Sequence, residues 1–252
     1  MRACLFFAKR NFLEIARDPL SYIFCLGFPI VMLFVMTTVN ASIPKQAGMT
    51  LFQLQNLMPG IAVFSLTFTT LFSAMTVARD RSCAFLNRLY ASPLRGFAFF
   101  LGYSLPVLMI AFLQCAVTVT VSLCLGAFAG IYFSFFGILG MLAALLPAML
   151  LFIALGVLFG ACFSERAAPG VCSILISVAG VLGGIWMDIG NMSGGLAAAA
   201  KILPFYHCVH LARQALAGEP VGNTLLFVCL YTAALVVLAP LVFDCRRQKD
   251  LK

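Results

Sequence analysis

Acidic side chains are scarce in this chain, eight among 252 residues. Each of them falls at or beyond the margin of an apolar run. A carboxylate held in mid-membrane costs about 2.5–3.5 kcal/mol even on insertion scales, and chains that keep one use it to handle ions or protons. Its absence from the apolar runs disfavours a carrier driven through carboxylate relays, although backbone carbonyls remain able to bind sodium. Histidines number two, His207 and His210, too few for a metal centre of defined geometry, and they read as polar residues of an outer loop. No G-x-x-x-x-G-K-[ST] stretch occurs, so the chain carries no phosphate loop. No paired carboxylates and no nucleophile with a nearby base are evident, so no catalytic residue is assigned.

What is abundant is hydrocarbon. Apolar residues make up 63% of the chain and charged residues 10%, with a mean hydropathy of +1.08. Soluble domains average about 45–50% apolar and about 25% charged, so a bilayer is the natural solvent. The ten cysteines include no C-x-x-C pair, and most sit in apolar runs as small hydrophobes. The N-terminal stretch is not a secretory signal, because Lys9 and Arg10 interrupt it early and no small-residue cleavage site follows.

Charge-free runs predict six spans: Pro19 to Asn40, Leu57 to Ala78, two within Gly96 to Ser164, Gly170 to Met187, and Thr224 to Phe243. The turn between the third and fourth is expected at Gly126 to Ser134. Six spans put both termini on one side. With that side cytoplasmic, all of the 16 Lys and Arg except Lys45, Lys201 and Arg213 lie inside. This bias predicts a multi-pass protein of the inner (cell) membrane with both termini cytoplasmic. It also accounts for the net charge of +8 without nucleic acid, for which no aromatic-basic motif is present.

Two segments read as amphipathic rather than spanning. Along residues 1–18, Leu5, Ala8, Phe12 and Ile15 recur at helical spacing, with Arg10, Glu14 and Arg17 on another face. This suits a helix in the cytoplasmic interface, or else a basic flank that only enforces topology. The loop at 79–95 ends at Pro93. It offers Phe85, Leu86, Leu89 and Tyr90 as an apolar face, with Arg81 and Arg88 two turns apart. It is either a docking surface or a carrier of positive charge alone. Small-xxx-small pairs at Gly126/Gly130, Gly156/Gly160 and Gly180/Gly184 permit close helix packing, within one protomer or between two. Pro106 and Pro147 are expected to kink their spans.

Several ordered stretches resemble the type-2 ATP-binding-cassette (ABC) export permeases. They are RDPLSYIFCLGFPIVMLFV (Arg17 to Val35), LMPGIAVFSLTF (Leu57 to Phe68), RDRSCAFLNRLYASPLRGFAFFLGYSLP (Arg79 to Pro106) and LPFYHCVHLARQALAG (Leu203 to Gly218). The chain departs from the family pattern at Ser82 and Ala84, where an acidic residue and a glycine are common.

The resemblance implies an all-α polytopic permease, one domain over 1–252, that is a transport subunit and not an enzyme. It implies a coupling helix after the second span that contacts a soluble ABC ATPase, carried by Arg79, Asp80, Arg81, Phe85, Arg88, Leu89, Pro93 and Leu94. ATP and Mg would sit on that partner, with no cofactor on this chain. The segment 188–223 would form short re-entrant outer helices bearing Pro204, His207, His210, Arg213 and Gly218. A second permease copy or paralogue would complete a dimer in the lipid bilayer. Close likeness to drug-export members implies a hydrophobic or amphiphilic small molecule as cargo. A lipid or glycan exporter, an ATP-independent carrier or channel, and a membrane enzyme or assembly protein are the other readings.

Overall fold

The computed structural model describes residues 2–17, 19, 23–43, 50–83, 96–189 and 192–250. The described residues form helices and the turns between them. In chain order these are α1 (Arg2–Ala16), α2 (Phe28–Ser42), α3 (Leu54–Ser82), α4 (Gly96–Ala129), α5 (Phe135–Cys162), α6 (Ala168–Leu182), α7 (Gly195–Ile202), α8 (Pro204–Ala217) and α9 (Gly222–Asp250). A single π-helical turn, Ile23–Gly27, leads into α2.

Among the described residues four helices, α3, α4, α5 and α9, are long and apolar enough to cross a membrane. Two apolar helices, α2 and α6, have 15 residues each, or about 22 Å at 1.5 Å per residue. That is short of a hydrocarbon core of about 30 Å. The π turn in front of α2 extends its run to residues 23–42. Three helices, α2, α6 and α8, carry proline in the first turn, where a missing N–H costs least; Pro59, Pro106, Pro147 and Pro240 lie inside helices.

The core is built on α3 and α5. Gly156 and Gly160 of α5 let the two backbones touch. A Cβ at Gly156 would lie 2.5 Å from Thr70 O, and one at Gly160 would lie 2.6 Å from Ala74 O. This glycine pair therefore serves packing within the chain. The pair Gly126/Gly130 instead shapes the α4–α5 turn, where Gly130 takes φ +69° and Ile131 N–H donates to Gly126 O at 2.8 Å. Buried hydroxyls line α3: Ser65, Thr67, Thr69, Thr70 and Ser73. Most turn back to their own helix, as Thr67 does to Phe64 O at 2.6 Å. Thr70 crosses to Phe152 O of α5 at 2.9 Å, and Gln114 Nε2 of α4 reaches Ser65 O at 3.3 Å.

The bundle has two ends. At one, Phe7 of α1 packs edge-on against Phe99 and Tyr103 of α4, and Phe243 of α9 packs on the same two rings. The start of the chain and the last turns of α9 thus share an end. At the other end, α8 lies across the starts of α3 and α5, with Gly137 of α5 in close approach to the Leu216 carbonyl.

Candidate functional site: the junction of α1 and α3

The second expected span is α3, which runs four residues past its expected end at Ala78, through Ser82. Arg79, Asp80 and Arg81 are its last turn rather than the start of a loop. Asp80 is 3% exposed. Arg10 of α1 grips its carboxylate with both guanidinium arms, Nη1 to Oδ2 at 2.8 Å and Nη2 to Oδ1 at 3.0 Å. Tyr103 Oη of α4 donates to Oδ2 at 2.9 Å. Arg10 also meets Glu14 one turn on, at 3.0 Å. Desolvation pulls the Arg10 guanidinium down, but the hydrogen bond and charge of Asp80, then the charge of Glu14, outweigh it and hold its pKa above the usual value.

The same turn is tied in two further directions. Arg81 Nη1 donates to Ala161 O at 2.6 Å and Gly160 O at 3.1 Å, satisfying carbonyls at the C-terminus of α5. Ser82 Oγ donates to Glu165 at 2.7 Å, in the turn between α5 and α6. The end of α3 is thereby bolted to α1, α4, α5 and the approach to α6, directly before the segment 84–95.

α1 reaches its place through a backbone vacancy. Pro106 has no N–H, so the Gly102 carbonyl four residues earlier lacks its helical partner. Asn11, 1% exposed, donates Nδ2 to that carbonyl at 3.1 Å. Gly102 is also where Phe7 packs, and a Cβ there would overlap its ring. The buried face of α1 is therefore Phe7, Ala8, Asn11 and Ile15. The four residues expected on one apolar face divide: Ala8 and Ile15 are buried, whereas Leu5 is 61% exposed and Phe12 is exposed as well.

Of the residues expected to touch an ATPase, Asp80 and Arg81 are engaged inside the chain. Arg79 is exposed and lines a cavity of about 690 Å³ with Arg10, Leu13, Glu14, Arg17 and Pro19. Phe85, Arg88, Leu89, Pro93 and Leu94 lie outside the described residues. Sequence reasoning missed Tyr103 and the role of Asn11. The spacing of Gly102 and Pro106 was the available signal for Asn11; Tyr103 had none.

At the other end, Pro204 starts α8 and Gly218 closes it in the left-handed conformation, φ 75°. His207 and His210 lie on this helix and not in a loop. His207 Nε2 sits 2.8 Å from Lys201 O, and its ring stacks on Phe227 at 5.1 Å. Cys208 between them is buried, and among the described residues no three His, Cys, Asp or Glu gather around a point that suits a metal. Arg213 Nε donates to Asn56 O of α3 at 3.2 Å. The guanidinium borders a cavity of about 220 Å³ with Asp188, Tyr206 and His210. Burial lowers the Arg213 pKa, and the Asp188 charge partly offsets it.

Residues 2–217, from α1 to the end of α8, match the profile of the ABC-2 type transporter family. The chain belongs to the ABC-2 type transporter family. It is accordingly a transport subunit of the membrane and not itself a catalyst. ABC-2 permeases normally work with a separate ATPase subunit. No curated protein matches this permease significantly. Beyond the matched region lies α9, which packs against α5 along the core.

Proposed function

We propose that this permease is the membrane half of an ATP-driven exporter, powered by a separate ATPase that docks on residues 79–95. In this reading the chain crosses the inner membrane six times, α2 and α6 being the two shorter crossings, with both termini cytoplasmic. A second permease copy completes the pathway. The cargo is a hydrophobic or amphiphilic small molecule, suited to pathway walls rich in Phe and Met, of which the chain has 25 and 11.

The observation that supports docking at this end is the three-way tie of α3's last turn. A push on segment 84–95 would reach α1 through Asp80, α5 through Arg81 and the α5–α6 turn through Ser82. Such a junction converts a motion of one short segment into a displacement of several helices, as a power stroke from a soluble subunit requires. The inside bias of Lys and Arg supports the orientation.

Co-purification tests it. Tagged permease, expressed with a candidate ABC ATPase, should retain that subunit. Phe85→Ala with Arg88→Glu should release it while the permease stays in the membrane. Arg81→Glu is the wrong probe, because it also uncaps α5. Retention of the ATPase by the Phe85/Arg88 variant would remove the docking assignment.

A further inference from the structure

We propose that the cavity between α1 and the last turn of α3 seats the phosphate headgroup of an anionic phospholipid. Three arginines face this space of about 690 Å³, Arg10, Arg17 and Arg79, against a single acid, Glu14, among the described lining residues. Arg10 is committed to Asp80 and Glu14. Arg17 and Arg79 are exposed, and neither guanidinium has an ion-pair or hydrogen-bond partner among the described residues. Arginine presents a planar fork that matches phosphate oxygens two at a time.

The apolar part of the lining identifies the source of that phosphate. Leu13 and Pro19 border the cavity beside the cations. Leu13, Leu5 and Phe6 are 42%, 61% and 73% exposed on α1, while the opposite face of the helix is locked to α4. At about 100° per residue, Arg17 follows Leu13 by about 40° around the helix and Arg10 by about 60°. Exposed Lys9 lies between Leu5 and Leu13 on this outward side, which then passes into Arg17 and Arg10. Apolar side chains interleaved with long cations that snorkel outward have the cross-section of an interfacial helix, apolar groups in the acyl region and cations at the phosphates. A soluble acidic protein or a free nucleotide would satisfy the arginines and leave Leu5, Phe6 and Leu13 in water. The inference rests on the reading that this end meets the cytoplasmic leaflet, and it needs no ATPase.

Lipid binding to the purified permease alone tests it, so a failed ATPase association would not touch the outcome. Phosphatidylglycerol and phosphatidylcholine are titrated into detergent-solubilised permease and read by native mass spectrometry and by the shift in unfolding temperature. Phosphatidylglycerol should bind more tightly and stabilise more. At about fivefold per basic residue near an anionic surface, Arg17→Gln with Arg79→Gln should weaken phosphatidylglycerol roughly 30-fold and leave phosphatidylcholine unchanged. Each single variant should lose about fivefold, which keeps the test readable should the double variant not purify. Equal binding of the two lipids, or undiminished phosphatidylglycerol binding by the variants, would overturn the proposal. Displacement of the lipid by inorganic phosphate at comparable concentration would also overturn it, marking a free-anion site instead.

Discussion

Arg10→Ala and Asp80→Asn remove opposite halves of one ion pair, and the structure predicts that they differ in cost. The Asp80 side chain is 4% exposed and the Arg10 side chain 35%. Without Arg10, a carboxylate is left buried with Tyr103 as its remaining charge-assisted donor. Breaking a buried pair in this way costs about 3–5 kcal/mol. Without the Asp80 charge, Arg10 keeps Glu14 at 3.0 Å and can turn to solvent, so screening limits the loss to about 1–2 kcal/mol. With both changes no buried charge remains, and the double variant should be more stable than Arg10→Ala alone. The expected coupling is about 1–3 kcal/mol. Denaturant unfolding of the four proteins in one detergent measures the cycle. Equal single costs that add without coupling would refute the clamp between α1 and α3.

Asn11→Ala should cost about 1–3 kcal/mol by stranding the Gly102 carbonyl, and adding Pro106→Ala should recover stability by restoring a helical N–H donor. Failure of the second change to rescue the first, read by unfolding temperature, would count against that pairing. Gly160→Ala should destabilise by about 1–3 kcal/mol because its Cβ meets Ala74 O and Val77 Cβ at 2.6 Å. Gly170→Ala, with open space around it, should fall within about 0.5 kcal/mol of wild type. Maleimide labelling of the folded protein in membranes should modify exposed Cys83 and spare buried Cys115 and Cys208, and reagent confined to the cytoplasmic side should suffice for Cys83.

The helices were legible because charge-free runs of this length have few alternatives in a bilayer. The α4–α5 turn was legible because Gly126 and Gly130 interrupt the longest such run. The end of α3 was not. Arg79, Asp80 and Arg81 look like solvated loop charges until Arg10 and the α5 carbonyls arrive from residues 70 or more positions away. Which face of α1 meets the protein was not legible for a related reason. Apolar spacing groups Leu5 and Phe12 with Ala8 and Ile15, but the helix packs on the protein through Phe7, Ala8, Asn11 and Ile15, with the polar Asn11 on a proline-vacated carbonyl. Read as isolated polar residues, the histidines suit a loop; the family resemblance puts them on a short helix, and Pro204 and Gly218 frame that helix.

The measurement closest to the central claim is movement of an amphiphilic dye across sealed vesicles that contain the purified permease. With the partner ATPase present, dye should move only when ATP is added, and permease alone should be silent under proton or sodium gradients. Gradient-driven movement by the permease alone would contradict the account.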